Sequence, residues 1–159
     1  MRVGMGYDSH RFDSERELVL GGVVIPDHPG LAGHSDGDAV VHAVIDAVLG
    51  AAGAGNVGSH FPPDDERWKG ADSMDLLSRV ASLLESRDLR VVNVDVTVVC
   101  ESPRIGPHAS AMQERLARVL GVDRGSVSVK GKSNEGMGWI GRGEGLAVHA
   151  VALVESQEG

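Results

Sequence analysis

The segment from Ser35 to Gly53, SDGDAVVHAVIDAVLGAAG, restricts the possible folds more than any other part of this sequence. Its Ala, Val and Ile residues recur at helical spacing and its polar residues are few, which predicts a buried helix. Ser35 is the predicted N-cap, with Asp38 as a capping-box-like partner, and Gly53 marks the end of the helix. The rest of the chain must therefore supply the elements that cover this helix.

The remaining segments predict a single α+β domain over residues 1–159. With 42% hydrophobic but only 3% aromatic residues, and 22 glycines, the core is expected to be aliphatic and the turns tight. The segment Gly55–Gly70 follows neither periodicity and is predicted as a long irregular loop. Strands are predicted at Val3–Asp8, Leu18–Ile25, Val92–Cys100, Val127–Lys132 and Leu146–Glu155, and further helices at Ser73–Arg87 and Pro107–Leu120. In the third strand, alternation places residues 92, 94, 96, 98 and 100 on the buried face.

Charge and composition exclude several classes of function. The formal net charge of -8 argues against nucleic acid or an anionic membrane as a partner, because both require a positive surface. The single cysteine, Cys100, cannot form an intrachain disulfide, and a reducing compartment fits. No signal-like N-terminus and no run of about 18 apolar residues occurs, so we expect a cytoplasmic protein.

Two short motifs could build one metal site. Asp8 and His10 leave the first strand on the same side, although such a D-x-H triplet is weak on its own. His42 lies on the apolar helix between Asp38 and Asp46, and a lone buried histidine is more often a core residue than a ligand. Three nitrogen and oxygen ligands with an open fourth position are typical of catalytic zinc. We expect Asp46 to orient the His42 ring.

Two glycine-containing turns are further candidates. Residues 130–135, KGKSNE, combine cations, a hydroxyl and a carboxylate, which fits an anion-binding nest and a hard divalent ion on Glu135. A polar hairpin turn explains the segment equally well, and the spacing of a Walker A loop is absent. The alternating glycines of residues 141–145, GRGEG, predict close backbone packing. His34 is a possible hydrogen-bond donor near the metal helix.

Taken together, several motifs resemble the cyclodiphosphate synthases of the non-mevalonate isoprenoid pathway. They are GYDSHRF, LAGHSDGDAVVHAVIDAVLGAAG, FPPDDERWKGADS, NVDVTVVCESPRIGPH, KGKSNEGMGWIGRGEG and AVHAVALV. The resemblance covers essentially the whole chain, and the combination of HSDGD-x-x-x-H with an N-terminal D-x-H is highly specific. It implies an α+β domain with a mixed sheet covered by helices, in a homotrimer whose sheets surround a threefold axis.

The resemblance also implies roles for individual residues. Asp8, His10 and His42 match zinc ligands, and Glu135 matches the ligand of a magnesium or manganese ion. His34 and Ser133 match catalytic positions that stabilise the transition state, with Ser133 standing where threonine is common. The implied substrate contacts are Asp8, Ser9, His10, His34, Ser35, Asn56, Val57, Gly58, Phe61, Pro62, Pro63, Asp64, Asp65, Cys100, Pro103, Ile105, Gly106, Lys132, Ser133, Asn134, Glu135, Trp139 and Arg142.

The implied reaction is the cyclisation of 4-diphosphocytidyl-2-C-methyl-D-erythritol 2-phosphate to the 2,4-cyclodiphosphate with release of CMP. The ionised 2-phosphate is the nucleophile, so catalysis reduces to positioning and charge neutralisation. Arg142 and His149 are expected at the central cavity of the trimer, where an isoprenoid phosphate could bind. Three departures from the family pattern are Asn56 for an aspartate, Gly131 for an alanine and His149 for an acid.

Two other functions compete with this interpretation. One is a trimeric zinc-containing binding module without turnover, which the presence of Glu135 and of residues 130–133 disfavours. The other is a phosphohydrolase that uses metal-bound hydroxide. An assay that detects CMP together with a cyclic diphosphate separates the three.

Overall fold

Five strands form one mixed sheet in the computed structural model, which describes residues 1–157. The strand order is β2-β1-β5-β3-β4; β3 and β4 are parallel and the other neighbours are antiparallel. The predicted α+β class and mixed sheet are confirmed, with residues 158 and 159 of the predicted domain outside the described part. The strands are β1 Arg2–Leu20, β2 Val23–Leu31, β3 Leu89–Val99, β4 Val127–Lys132 and β5 Gly145–Ser156.

Helices pack against one face of this sheet and against each other. The bounds are α1 Ala39–Ala52, α2 Val57–His60, α3 Ser73–Glu85, α4 Gly106–Leu120 and α5 Gly138–Gly141. Within residues 1–157 no helix has the length and apolar character that crossing a bilayer requires. The opposite face of the sheet exposes apolar side chains: Val3 is 70% and Met5 65% exposed, and Val151 lies beside Met5 on β5.

Helix α1 begins later than predicted, because Asp38 and not Ser35 is its N-cap. The Asp38 carboxylate is fully buried and accepts hydrogen bonds from the backbone N–H groups of Gly21, Gly22 and Val41 at 2.7 to 3.1 Å. It therefore joins the start of the helix to the turn between β1 and β2. Burial raises the pKa of Asp38 to about 6, although these three donors oppose the shift. The predicted end at Gly53 is confirmed.

Glycines in β1 bring α1 unusually close to the sheet. A Cβ atom on Gly6 would lie 1.8 Å from the Ala43 carbonyl oxygen, and one on Gly4 would lie 1.9 Å from that of Ala47. Side chains at these positions are therefore excluded, and the helix backbone rests directly on the strand. This contact sets the distance between His42 on the helix and Asp8 on the strand.

Three predicted strands differ from the observed ones. Val3–Asp8 is only the beginning of β1, which continues to Leu20, so Asp8 and His10 lie within that strand and not at its end. Leu18–Ile25 is not one strand: Gly21 and Gly22 form the turn of a hairpin, with φ values of 57° and 71°. In β3 the pairing with β5 shifts between Val91 and Asn93, so Val91 and not Val92 shares the buried face. An irregularity in the ladder is invisible to simple alternation.

The predicted loop Gly55–Gly70 contains regular structure. Helix α2 begins with a capping box between Asn56 and Ser59. A single turn of 3-10 helix, Glu66–Trp68, begins at an Asp65 side-chain cap. Both are built from local side-chain to backbone hydrogen bonds, which periodicity does not report. The prediction of an irregular segment was wrong for these residues.

Candidate active site

Asp8, His10 and His42 converge at one point between β1 and α1. The Oδ2 atom of Asp8 lies 2.8 Å from Nε2 of His10 and 3.0 Å from Nδ1 of His42. One ligand atom from each residue lies within 4.8 Å of the others, which is the spacing of a group that could hold a metal ion. Residues i and i+2 of β1 supply two ligands and the closely packed helix supplies the third. The predicted metal triad is therefore brought together.

The electrostatics of this cluster favour a positive charge at its centre. Burial opposes ionisation of Asp8, but the imidazoles of His10 and His42 outweigh it, and the pKa of the carboxyl lies below its ordinary value. Burial likewise opposes protonation of His10, yet its bonded partner Asp8 leaves the pKa raised. The site therefore stabilises the Asp8 carboxylate beside a positive charge. Either a metal ion or a proton can supply that charge.

The His42 ring is oriented by two serines and not by Asp46. Its Nε2 atom lies 2.9 Å from Oγ of Ser73 and 3.1 Å from Oγ of Ser35. Asp46 instead accepts the backbone N–H of Val57 at 2.7 Å, and its partial burial raises the pKa of that carboxyl. The expected orienting role of Asp46 was wrong, because the adjacent α2 N-terminus offers its carboxylate a closer donor. Ser73 carried no signal in the sequence.

The loop that carries His34 is held from both sides. Arg16 donates to the carbonyl oxygens of Gly33, at 2.6 Å, and of Ser35. The backbone N–H of Asp36 donates to the carbonyl of Ala71, and that of Gly70 donates to the carbonyl of His34. His34 is exposed and faces the same cavity as the metal triad. Arg16 has no sequence signature that could have indicated this role.

The metal triad forms one wall of a cavity of about 220 Å³. The other walls are mostly apolar and are supplied by α2, by the segment around Phe61 and by α3. Of the substrate contacts predicted between residues 56 and 65, Asn56, Pro62, Asp64 and Asp65 do not line it; Asn56 and Asp65 serve as caps. The lining residues are Asp8, His10, His34, Ser35, His42, Val57, Gly58, Phe61, Pro63, Trp68 and Leu76.

A second cavity of about 570 Å³ lies at the ends of β3 and β4. It contains six of the predicted substrate contacts, namely Cys100, Pro103, Ile105, Gly106, Lys132 and Ser133. The predicted nest at residues 130–135 is occupied at its end by an anion of the protein itself, because Oε1 of Glu101 accepts from the backbone N–H of Asn134 at 2.9 Å and from that of the adjoining Gly136 at 3.2 Å. Glu101 was not singled out in the sequence, and its hydrogen bonds join the end of β3 to the turn after β4.

The remaining predicted contacts lie outside both cavities. Glu135 is exposed with φ of 53°, and its Oε1 accepts from the Ser133 hydroxyl at 3.1 Å. Ser9 and Trp139 line a separate surface pocket together with His10. Arg142 pairs with Glu144 at 3.4 Å. The close packing expected of the glycines in residues 141–145 holds for Gly141 and Gly145, while a Cβ atom on Gly143 would meet open space.

Comparison with known proteins identifies the family. The sequence profile of the YgbB family matches residues 1–155. A 2-C-methyl-D-erythritol 2,4-cyclodiphosphate synthase from Symbiobacterium thermophilum is 56% identical over 97% of this chain and 98% of its own length. The bifunctional IspDF from Campylobacter jejuni superposes with a TM-score of 0.94 at 37% identity, over 98% of this chain and 42% of that one. A CDP complex of IspF from Plasmodium falciparum gives a TM-score of 0.86 at 32% identity over 99% and 97%. This chain therefore belongs to the YgbB family, the family of the 2-C-methyl-D-erythritol 2,4-cyclodiphosphate synthases.

Proposed function

We propose that this protein converts 4-diphosphocytidyl-2-C-methyl-D-erythritol 2-phosphate to the 2,4-cyclodiphosphate and releases CMP. The observation that carries the proposal is the convergence of Asp8, His10 and His42 beside an apolar cavity. The chain in which they converge is 56% identical to a 2-C-methyl-D-erythritol 2,4-cyclodiphosphate synthase. The CDP complex of a relative supports a cytidine nucleotide as part of the substrate.

The residues present fit a zinc ion at the triad. Two imidazoles and one carboxylate are the ligand types that catalytic zinc prefers, and three protein ligands leave a position for substrate. Bound there, zinc supplies Lewis-acid polarisation of a phosphate group. Glu135, an exposed carboxylate, would hold a hard Mg2+ or Mn2+ ion.

The cavity beside the triad suits the methylerythritol portion of the substrate. Phe61, Pro63 and Leu76 offer apolar surface, while the backbone at Val57 and Gly58 can approach hydroxyl groups closely. His34, on the same cavity, can donate a hydrogen bond to a phosphate oxygen as charge develops. Since the attacking phosphate is already ionised, these residues need only hold it in line with the β-phosphorus.

The second cavity suits the CMP leaving group. Cys100, Pro103 and Ile105 provide surface for the base, and Ser133 can donate a hydrogen bond to the diphosphate. Within residues 1–157 Lys132 forms no ion pair, so its ammonium group is available to a phosphate oxygen. The proposed contacts are completed by Ser9, Asn56, Pro62, Asp64, Asp65, Asn134, Trp139 and Arg142.

The active protein is proposed to be a cytoplasmic homotrimer. Within one described chain the metal cavity and the nucleotide cavity share no lining residue, which supports a site completed between neighbouring subunits. The exposed apolar sheet face, with Val3, Met5, Tyr7 and Val151, supplies a surface of the kind that such assemblies bury. Around a threefold axis this face would line a central cavity able to accept an isoprenoid phosphate.

The test is a product assay on the purified protein. We expect equimolar CMP and cyclic diphosphate, and a molar mass of three chains. His42→Ala should lose zinc and at least about 100-fold in turnover while remaining folded, because one of three ligands is missing. His108→Ala, which alters a histidine on α4 away from the triad, is the control. A linear hydrolysis product would instead indicate a phosphohydrolase, and bound substrate without turnover would indicate a binding protein.

A further inference from the structure

The hydrogen bonds of Ser73 determine where its hydroxyl proton lies. Ser73 is fully buried at the first position of α3. Its hydroxyl donates to Oδ1 of Asp36 at 2.5 Å, and its backbone N–H donates to Oδ2 of Asp36 at 2.9 Å. Since an ionised carboxylate only accepts, the hydroxyl proton is committed to Asp36. The Ser73 oxygen can then only accept from any other neighbour.

That other neighbour is His42. Its Nε2 atom lies 2.9 Å from the Ser73 oxygen, so Nε2 must carry the hydrogen. Ser35 also lies 3.1 Å from Nε2, at longer range, and its oxygen accepts the backbone N–H of Gly37 at 3.4 Å. With the proton on Nε2, the lone pair of Nδ1 points to the side of Asp8. The ring is thus prepared to bind a cation through Nδ1.

His10 reaches the equivalent state by a different route. Its Nδ1 atom lies 2.5 Å from the carbonyl oxygen of Ala32, and a carbonyl only accepts. Nδ1 of His10 therefore carries the hydrogen and Nε2 directs its lone pair toward Asp8. The tautomer of His10 depends on backbone geometry, whereas that of His42 depends on two side chains and can be changed by mutation.

We propose that Asp36 and Ser73 form a positioning pair that holds His42 in its metal-binding tautomer. The same two bonds tie the loop that carries His34 to the start of α3, so one contact orders the ligand and the loop together. This inference rests on the proposed metal site. A metal-bound histidine whose other nitrogen loses its partner typically loses about 10- to 100-fold in metal affinity.

The test compares zinc affinity, measured by competition with a chromophoric chelator, in four variants. Ser73→Ala should lose about 10- to 100-fold, and Ser35→Ala should lose less, because Ser35 is the more distant acceptor. Asp36→Asn should also lose zinc affinity, because an amide cannot accept all three hydrogen bonds that the carboxylate takes from the Ser73 hydroxyl and from the backbone N–H groups of Ser73 and Asp38. Ser78→Ala, an exposed serine on the same helix, should equal the wild type.

The second measurement is the ring 15N–1H spectrum of histidine-labelled, zinc-loaded protein. The wild type should show a protected Nε2–H signal from His42 and a protected Nδ1–H signal from His10. Ser73→Ala should lose the first and keep the second, a selectivity that general loosening of the fold would not produce. Unchanged zinc affinity in both Ser73→Ala and Asp36→Asn overturns the positioning pair while leaving the metal site intact. A wild type that holds no zinc, or a His42→Ala variant that holds it equally well, overturns the proposed function as well.

Discussion

Three aspartates in or near the metal triad show how neighbouring groups determine the role of a residue. Asp8 faces two imidazoles, so its carboxylate stays ionised and serves the cluster. Asp38 is fully buried among backbone N–H donors and caps α1. Asp46, one helical turn beyond His42, accepts the backbone N–H of Val57, the first residue of α2. All three acids lie in motifs typical of metal binding, and their hydrogen-bond partners distinguish them.

Replacement of Glu135 tests the proposed second cation. Glu135→Gln should retain zinc at the triad but lose at least about 10-fold in activity and its dependence on added Mg2+ or Mn2+, since an amide is a poor ligand for a hard cation. Activity should be titrated with magnesium and zinc measured in the same preparation. Glu85→Gln, on α3, is the control. Wild-type activity with an unchanged magnesium titration would exclude Glu135 as the ligand.

Cys100 should be chemically inert in the folded protein. Burial, with a smaller contribution from Glu101, raises the pKa of its thiol from 9.0 to about 11. The thiolate fraction below pH 9 is therefore about 100-fold lower than in the unfolded chain. Because the folded pKa is the higher one, this thiol favours the folded state up to about pH 9 and loses that contribution as pH rises toward 11. Ellman's reagent at pH 8 should react slowly with native protein and rapidly in guanidinium; equal rates would contradict the prediction.

At the level of helices and strands, local caps and close backbone contacts place the site. Helix α2 is only one turn long, and its capping box between Asn56 and Ser59 compensates for the lack of a longer hydrogen-bonded ladder. Helix α1 owes its position to glycines on β1. Each of these contacts can be changed by a single substitution without touching a proposed metal ligand.

Asn56 offers a test of the cap against the proposed substrate contact. Asn56→Asp keeps an acceptor for the N–H of Ser59, so stability and zinc content should match the wild type while KM changes. Asn56→Ala should destabilise the segment by about 1 kcal/mol. Urea denaturation, zinc analysis and steady-state kinetics measure the three quantities. Loss of zinc from Asn56→Asp would place this residue beside the metal instead.

The contact between α1 and β1 should tolerate no side chain at Gly6. Gly6→Ala would put a Cβ atom 1.8 Å from the Ala43 carbonyl oxygen, so the helix must move away from the strand. We expect a loss of about 3 kcal/mol in the free energy of unfolding and weaker zinc binding, because His42 moves with the helix. Gly125→Ala, where a Cβ atom meets nothing within 4 Å, should change neither quantity. Equal stability of the two variants would disprove the close contact.

For the whole molecule, the exposed sheet face is the feature that a single chain does not explain. Tyr7 and His149 pair across β1 and β5 on this face, with ring centroids 5.1 Å apart. Thr97 is the neighbour of His149 on β3. In the proposed trimer this face surrounds the axis, and three copies of each side chain converge. The charge of the central cavity would then depend on side chains that are exposed to solvent in a single chain.

Features with a short period or a local cap were predictable from the chain. The alternation of β4 and β5 and the glycines that end α1 and α4 indicated their positions, because each signal lies within a few neighbouring residues. The metal triad was also predictable, since its motifs are specific to the family. The family resemblance supplied the proposed substrate, which neither periodicity nor charge could indicate.

Features that join distant parts of the chain required the folded structure. Ser73 meets His42 across 31 residues, and Glu101 meets Asn134 across 33. The N-cap of α1 is Asp38 and not Ser35 because the turn at Gly21 and Gly22 brings two further donors to Asp38. Such partners are selected by the packing of α1 on β1, and packing depends on every element at once. The sequence alone does not indicate which distant group a hydroxyl or a carboxylate will contact.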